Sequence, residues 1–145
     1  MISSVRKFFQ RKPLVVVIRL DGVIGAVSRF GSGGLDDSNT QKLLEKAFEF
    51  DKAKAIAIKI NSPGGSPTQS SLIASRILKL SEEKKIPVLC FCEDVAASGG
   101  YWLACAGEEI YSDINSIIGS IGVISASFGF SELISRYGIE RRVYT

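Results

Sequence analysis

The sequence contains no histidine. That one absence removes Ser-His-Asp and Cys-His catalysis and histidine-ligated zinc from the chain. Any nucleophile here must work with another base. Cysteine is scarce as well, with three residues: Cys90, Cys92 and Cys105. An odd number does not build a disulfide framework. Cys90-Phe91-Cys92 is C-x-C, not C-x-x-C; on a strand its two side chains point the same way, and a metal would need further ligands. All three read as small buried apolar residues in a reducing compartment. Neither a metal site nor a cofactor is expected. Long apolar runs are missing too. Nothing approaches the ~18 residues of a membrane helix. Leu14 to Ile18 is too short for a signal-peptide core, and no small-residue cleavage site comes after it. The expected location is the cytoplasm. Neither sign of charge dominates: 18 Lys and Arg stand against 15 Asp and Glu, a net +3. The basic residues gather only at Arg6, Lys7, Arg11 and Lys12. That cluster reads first as a solvated tail. It also suits peripheral contact with an anionic membrane surface; nucleic acid is not an expected partner.

What is present describes one domain. The chain has 145 residues, 46% hydrophobic and 23% charged, enough for a real core and unlike a disordered segment. Leu14 to Leu20 is a β-branched apolar run and predicts a buried strand. Phe30 to Asp37 holds three glycines and predicts a loop. Asp37 or Ser38 is placed to cap a helix to about Phe50, with Leu44, Ala47 and Phe48 on its apolar face. Ala55 to Ile60 predicts a second strand, ending in Asn61-Ser62-Pro63-Gly64-Gly65. Ser66, Pro67 and Gln69 then have the spacing of a capping box with proline at the first helical position. That helix runs to about Leu80, burying Ile73, Ile77 and Leu80, and Lys84-Lys85 close it. Ile86 to Phe91 predicts a third strand. After Ala96-Ala97-Ser98-Gly99-Gly100 come a helical stretch from Tyr101 to Ala106, a short strand at Ile110-Tyr111 and a glycine-punctuated apolar segment, Ser116 to Ser125. Ser131 to Tyr137 predicts a helix with Gly138 just past its end, and Arg141 to Thr145 begins another strand-like run. Alternating strands and helices imply right-handed βαβ units and a mostly parallel sheet. Sites in such sheets form at the carboxyl ends of strands, where both glycine-rich turns fall.

Acyl transfer by a serine needs an exposed hydroxyl, backbone donors for the oxyanion, and a base. Ser98 sits among small residues just before a helix, whose first N–H groups lack intrahelical partners and carry the positive dipole end. The Gly99 N–H is a natural oxyanion donor, and Gly65 offers a second. Taken alone, A-A-S-G-G suits a packing or capping serine equally well, and S-P-G-G-S suits a helix entry. Neither is a phosphate loop, nor does A-x-S-x-G fit the G-x-S-x-G elbow.

Three motifs together go further: Ile60 to Gly65, Asp94 to Trp102, and Gly119-Ser120-Ile121-Gly122-Val123. In order and spacing they resemble the signal peptide peptidase A family over about Val15 to Thr145. The resemblance implies a Clp/crotonase-like α/β fold, a stacked β-sheet spiral with flanking helices. It makes Ser98 the nucleophile of a serine endopeptidase acting on peptides, residual signal peptides among them. It places Gly65 in the oxyanion hole with Gly99, and Gly119, Ser120, Ile121 and Gly122 along the substrate cleft, where an extended peptide can add as a strand. Ring-like homo-oligomers are implied. The family's base is a lysine about fifty residues after the serine, which falls beyond Thr145. The expected organisation is therefore a basic tail over 1–13 and a peptidase domain over 14–145, truncated at its C-terminus and lacking the second half of its Ser-Lys dyad. Lys59 is the nearest internal substitute, but an outward, solvated Lys59 is the simpler reading. Glu93-Asp94 and Arg141-Arg142 read as solvated strand ends. Of Tyr101 and Trp102, one is expected in the core. A Clp-type subunit is excluded by the missing histidine. A crotonase-type acyl-coenzyme A enzyme lacks an evident carboxylate base. A scaffold module that keeps the fold without the base remains the non-enzymatic alternative.

Overall fold

The structure is a computed structural model and describes residues 13–25, 34–50, 52–124 and 128–140. The basic N-terminal cluster, the first half of the glycine loop and the strand-like run from Arg141 to Thr145 lie outside them. The elements run in the order β1 (Leu14–Asp21), α1 (Asp37–Phe48), β2 (Ala53–Ser62), α2 (Pro67–Lys84), β3 (Val88–Ala97), α3 (Gly99–Ala104), β4 (Glu109–Ser112), β5 (Ile117–Gly119) and α4 (Ser131–Arg136).

These strands all pair in parallel, in the order β1-β2-β3-β4, with β5 also on β3. In β1 the side chains alternate: Ile18 and Leu20 are buried, while Val15, Val17 and Arg19 face out. The inward residues of β1, β2 and β3 form one core with Leu44, Ala47 and Phe48 of α1 and Ile73, Ala74 and Ile77 of α2. Burying an aliphatic side chain of this kind contributes about 1.5–3 kcal/mol against leaving it in water. The apolar helix faces anticipated from periodicity are thus the ones buried, with Leu80 only partly so.

Three local expectations change. The cap of α1 is Asp36, whose carboxylate accepts from Asn39 N at 2.7 Å. Asp37 is drawn elsewhere, into a two-pronged bond with Arg76 of α2 at 2.8 and 2.7 Å. At the start of α2, Ser66 Oγ accepts from Gln69 N as expected, at 3.4 Å. The reciprocal half of the box is absent: Gln69 Oε1 accepts from Asp37 N at 2.8 Å, tying α2 to α1, and Ser66 N donates to Ile24 O. Finally, β3 extends to Ala97, well past Phe91. Glu93 is therefore no solvated strand end. It pairs with Arg19 of β1 at 2.7 Å and with Lys59 of β2, and those two cations, Lys59 first, lower its carboxyl below the usual range.

Candidate active site

β2 and β3 lie side by side, so the turns that leave them meet. An added Cβ at Gly64 would lie 2.7 Å from Gly99 N, 2.8 Å from Ala97 O and 2.8 Å from Ser98 Cβ. Real Cβ atoms do not tolerate such distances; only glycine lets the two turns touch. Gly64 also has φ +94, in the region open to glycine. Its N–H donates to the buried Ser62 Oγ at 3.1 Å, which holds the first turn from within.

Gly65 is pinned from the other side. Ile24 N donates to Gly64 O at 2.9 Å and Ser66 N donates to Ile24 O at 2.8 Å. With both neighbours turned to Ile24, the alternation of an extended chain directs the Gly65 N–H away from it. A side chain on Gly65 would collide with the Ile24 carbonyl.

Ser98 joins β3 to α3 with φ 52 and ψ −119. That is a strained conformation for a residue with a side chain, outside even the left-handed helical well. A sharp strand-to-helix turn of this kind thrusts its side chain outward, as in nucleophile elbows. A-x-S-x-G lacks the sequence signature of such an elbow, and only the dihedrals reveal it. The backbone of Ser98 is well held: its N–H donates to Gly119 O at 2.7 Å and its carbonyl accepts from Trp102 N at 3.0 Å. Gly99 opens α3, so its N–H has no carbonyl partner within the helix.

Ser98, Gly65 and Gly99 line one cleft of about 770 Å³, together with Ser120, Ile121 and Gly122. Of the expected cleft residues only Gly119 stays out of the lining; it anchors Ser98 from behind through its carbonyl. The walls are apolar, from Pro67 and Trp102 to Val123 and Ile124. Tyr101 packs against the core and also faces the cleft, whereas Trp102 is 46% exposed. Cys105 departs from expectation: Cys90 and Cys92 are buried, but Cys105 is exposed on the cleft rim. Burial pushes the Cys90 thiol up to about 12, so it stays protonated and inert. The Cys105 sulfur one helical turn away holds the Tyr101 phenol above its ordinary range. Among the described residues no lysine, arginine or carboxylate lines the cleft, and Lys59 is committed to Glu93. The described residues also hold no cluster suited to a metal ion.

Comparison with known proteins bears on this geometry. The profile of peptidase family S49 matches residues 81–145. The chloroplastic serine protease SPPA of Arabidopsis thaliana is 36% identical over 131 residues, 88% of this chain and 19% of that protein. A Brucella melitensis protein named Na(+)/H(+) antiporter NhaA is 51% identical over 140 residues, 97% of this chain and 19% of that protein. The chain thus spans about a fifth of the length of these two relatives. Among solved structures, a serine-to-alanine mutant of a membrane-bound stomatin-specific protease superposes with a TM-score of 0.55 at 25% identity, covering 73% of this chain and 46% of that one. The parallel sheet with its helices is the α/β architecture of the Clp/crotonase type, and the chain belongs to peptidase family S49, in the signal peptide peptidase A group.

Proposed function

We propose that these residues carry the nucleophile and oxyanion hole of a serine endopeptidase. The observation that carries the reading is the contact of the two turns. The strained serine of one lies against the Pro63-Gly64-Gly65 turn of the other, and both open into a single apolar cleft. In the reaction, Ser98 Oγ attacks the scissile carbonyl as its proton passes to a base. The oxyanion is met by the Gly65 and Gly99 N–H groups, each such donor contributing about 10²–10³ in rate. The C–N bond then breaks, the amine leaves with the proton, and water later releases the acyl group from Ser98.

Among the described residues of the cleft, none supplies the base. The resemblance assigns it to a lysine that lies beyond Thr145. An amine of pKa about 10.4 in water acts as a base near neutrality only where apolar surroundings disfavour its charged form, and the walls of this cleft are of that kind. Extended peptides, residual signal peptides among them, are the substrates that fit. They would run along Ser120 to Gly122 in strand fashion. Homo-oligomers and contact of the basic N-terminus with an anionic membrane belong to the same reading. Among the described residues no helix is long and apolar enough to cross a membrane. The name of the Brucella relative refers to a much longer protein; the shared segment contains both glycine turns, and the peptidase reading stands on those.

The test uses the full-length protein. Wild type should cleave an unfolded peptide and take up a fluorophosphonate on Ser98. Ser98→Ala should lose both while keeping its circular dichroism spectrum. Undiminished turnover in Ser98→Ala would overturn the assignment, and absence of turnover and labelling in wild type would favour the scaffold alternative.

A further inference from the structure

The two turns meet only because β2 and β3 fall out of step just before them. Ile60 pairs with Cys92, but Ser62 pairs with Ala96. One residue of β2, Asn61, therefore faces three of β3: Glu93, Asp94 and Val95. The other edge of β3 skips the same place, since β4 pairs up to Cys92 and β5 pairs from Val95. Two extra residues make this a β-bulge, and a bulge re-aims the strand beyond it. At about 3.3 Å per residue, an unbroken register would carry Ser98 about 6.6 Å beyond its place at Gly64. Because the insertion is even, it keeps Cys92 and Ala96 on the same buried face.

A bulge interrupts the ladder, and the N–H that loses its partner needs another. Here the replacement is a side chain: Val95 N donates to Asn61 Oδ1 at 3.2 Å. The Asn61 backbone carbonyl meanwhile accepts from Gly22 N at 3.0 Å, which ties in the end of β1. Asn61 thus joins three strands at the point where the nucleophile strand changes phase. We propose that Asn61 is a positioning residue for Ser98: its amide oxygen stands in for the ladder acceptor that the bulge removes, and so fixes how far Ser98 projects beside the Gly64-Gly65 turn. It touches no substrate. Its consequence for turnover rests on the peptidase reading, whereas its consequence for β3 does not.

The experiment compares Asn61→Ala and Asn61→Asp with wild type in the full-length protein. Aspartate keeps an oxygen at the same reach; alanine removes it. Two readouts are taken. Hydrogen exchange at the Val95 amide should quicken at least about tenfold in Asn61→Ala and stay near wild type in Asn61→Asp. In peptide cleavage, Asn61→Ala should lose about 10²-fold in kcat, the scale of an ångström of misplacement. KM should stay within about threefold, and Asn61→Asp should recover most of the kcat. Where the alanine variant does not fold, Asn61→Ser, whose hydroxyl falls short of Val95, takes its place. Unchanged Val95 exchange in a folded variant lacking the acceptor overturns the inference, as does wild-type kcat in that variant. If wild type shows no turnover, the peptidase reading fails on its own, and the exchange comparison still decides the role of Asn61.

Discussion

Ser98 holds a backbone conformation that glycine adopts without cost, so replacing it should reveal how much strain the turn stores. The informative pair is Ser98→Gly against Ser98→Ala. Both remove the hydroxyl, so any difference between them comes from the backbone and one methyl group. At φ 52 and ψ −119, a residue with a Cβ costs about 1–3 kcal/mol. Glycine escapes that but gives back about 0.5–1 kcal/mol through the greater freedom of its unfolded state. The net expectation is that Ser98→Gly exceeds Ser98→Ala by about 1 kcal/mol, or about 3 °C in Tm for a chain of this size. Lys85 supplies a control. It also has positive φ, but at φ 54 and ψ 41 it sits in the ordinary left-handed well at the end of α2. Lys85→Gly should therefore gain less over Lys85→Ala than the pair at Ser98 does. Urea unfolding of the four variants measures all of this without any assay of activity. If Ser98→Ala proves as stable as Ser98→Gly, the strain argument is wrong, and with it the account of why this serine projects.

The contact of the two turns and the ion pair between α1 and α2 each set a further outcome. Gly64→Ala should cost about 2–5 kcal/mol, from its positive φ together with over-packing against Ser98 and Gly99, and should abolish turnover; Gly119→Ala, with φ +115 but open space around it, should cost only about 1–2 kcal/mol, and denaturant midpoints of the two variants decide. Hydrogen bonding to Arg76 lowers the Asp37 pKa in the folded chain, so its contribution is complete above the unfolded value of about 3.9 and is lost as pH falls through the lower folded one. Arg76→Gln should remove that part of the acid limb, and parallel stability curves for the two proteins from pH 5 to pH 2 would contradict the assignment.

The sequence was most legible where local chemistry and tertiary need agree. Both glycine turns, the apolar faces of α1 and α2 and the succession of strands β1 to β4 along the chain could be read from pattern alone. Where several residues had equal local merit, tertiary contacts chose among them. Asp36, Asp37 and Ser38 can each cap a helix; Arg76, 39 residues on, takes Asp37 and leaves Asp36 to do it. Gln69 had the spacing for its own Ser66, yet its amide serves Asp37 of another helix. Cys105 misled because α3 has six residues, too few for periodicity to say which side faces solvent. The chemistry of Ser98 was carried by a resemblance between motifs rather than by propensity, because φ and ψ leave no mark in the letters A-A-S-G-G.

The bulge in β3 shows why one strand can serve both turn and cleft. Val88 to Ala97 contains two acidic residues in its middle, an unfavourable composition for a central parallel strand. Read as sequence, Glu93-Asp94 therefore suggests an ending. In the fold it marks the point where β3 changes neighbours, from β4 at Leu89 to Cys92 to β5 at Val95 to Ala97. That exchange brings β5 close enough for Gly119 O to receive the Ser98 N–H, and the residues after it, Ser120 to Gly122, become the wall of the cleft. Glu93 is accommodated on the strand through Arg19 and Lys59, which explains why the lysine nearest the first glycine turn is occupied by an ion pair. The interruption that makes the strand hard to recognise is the same one that gives Ser98 a neighbour on each side.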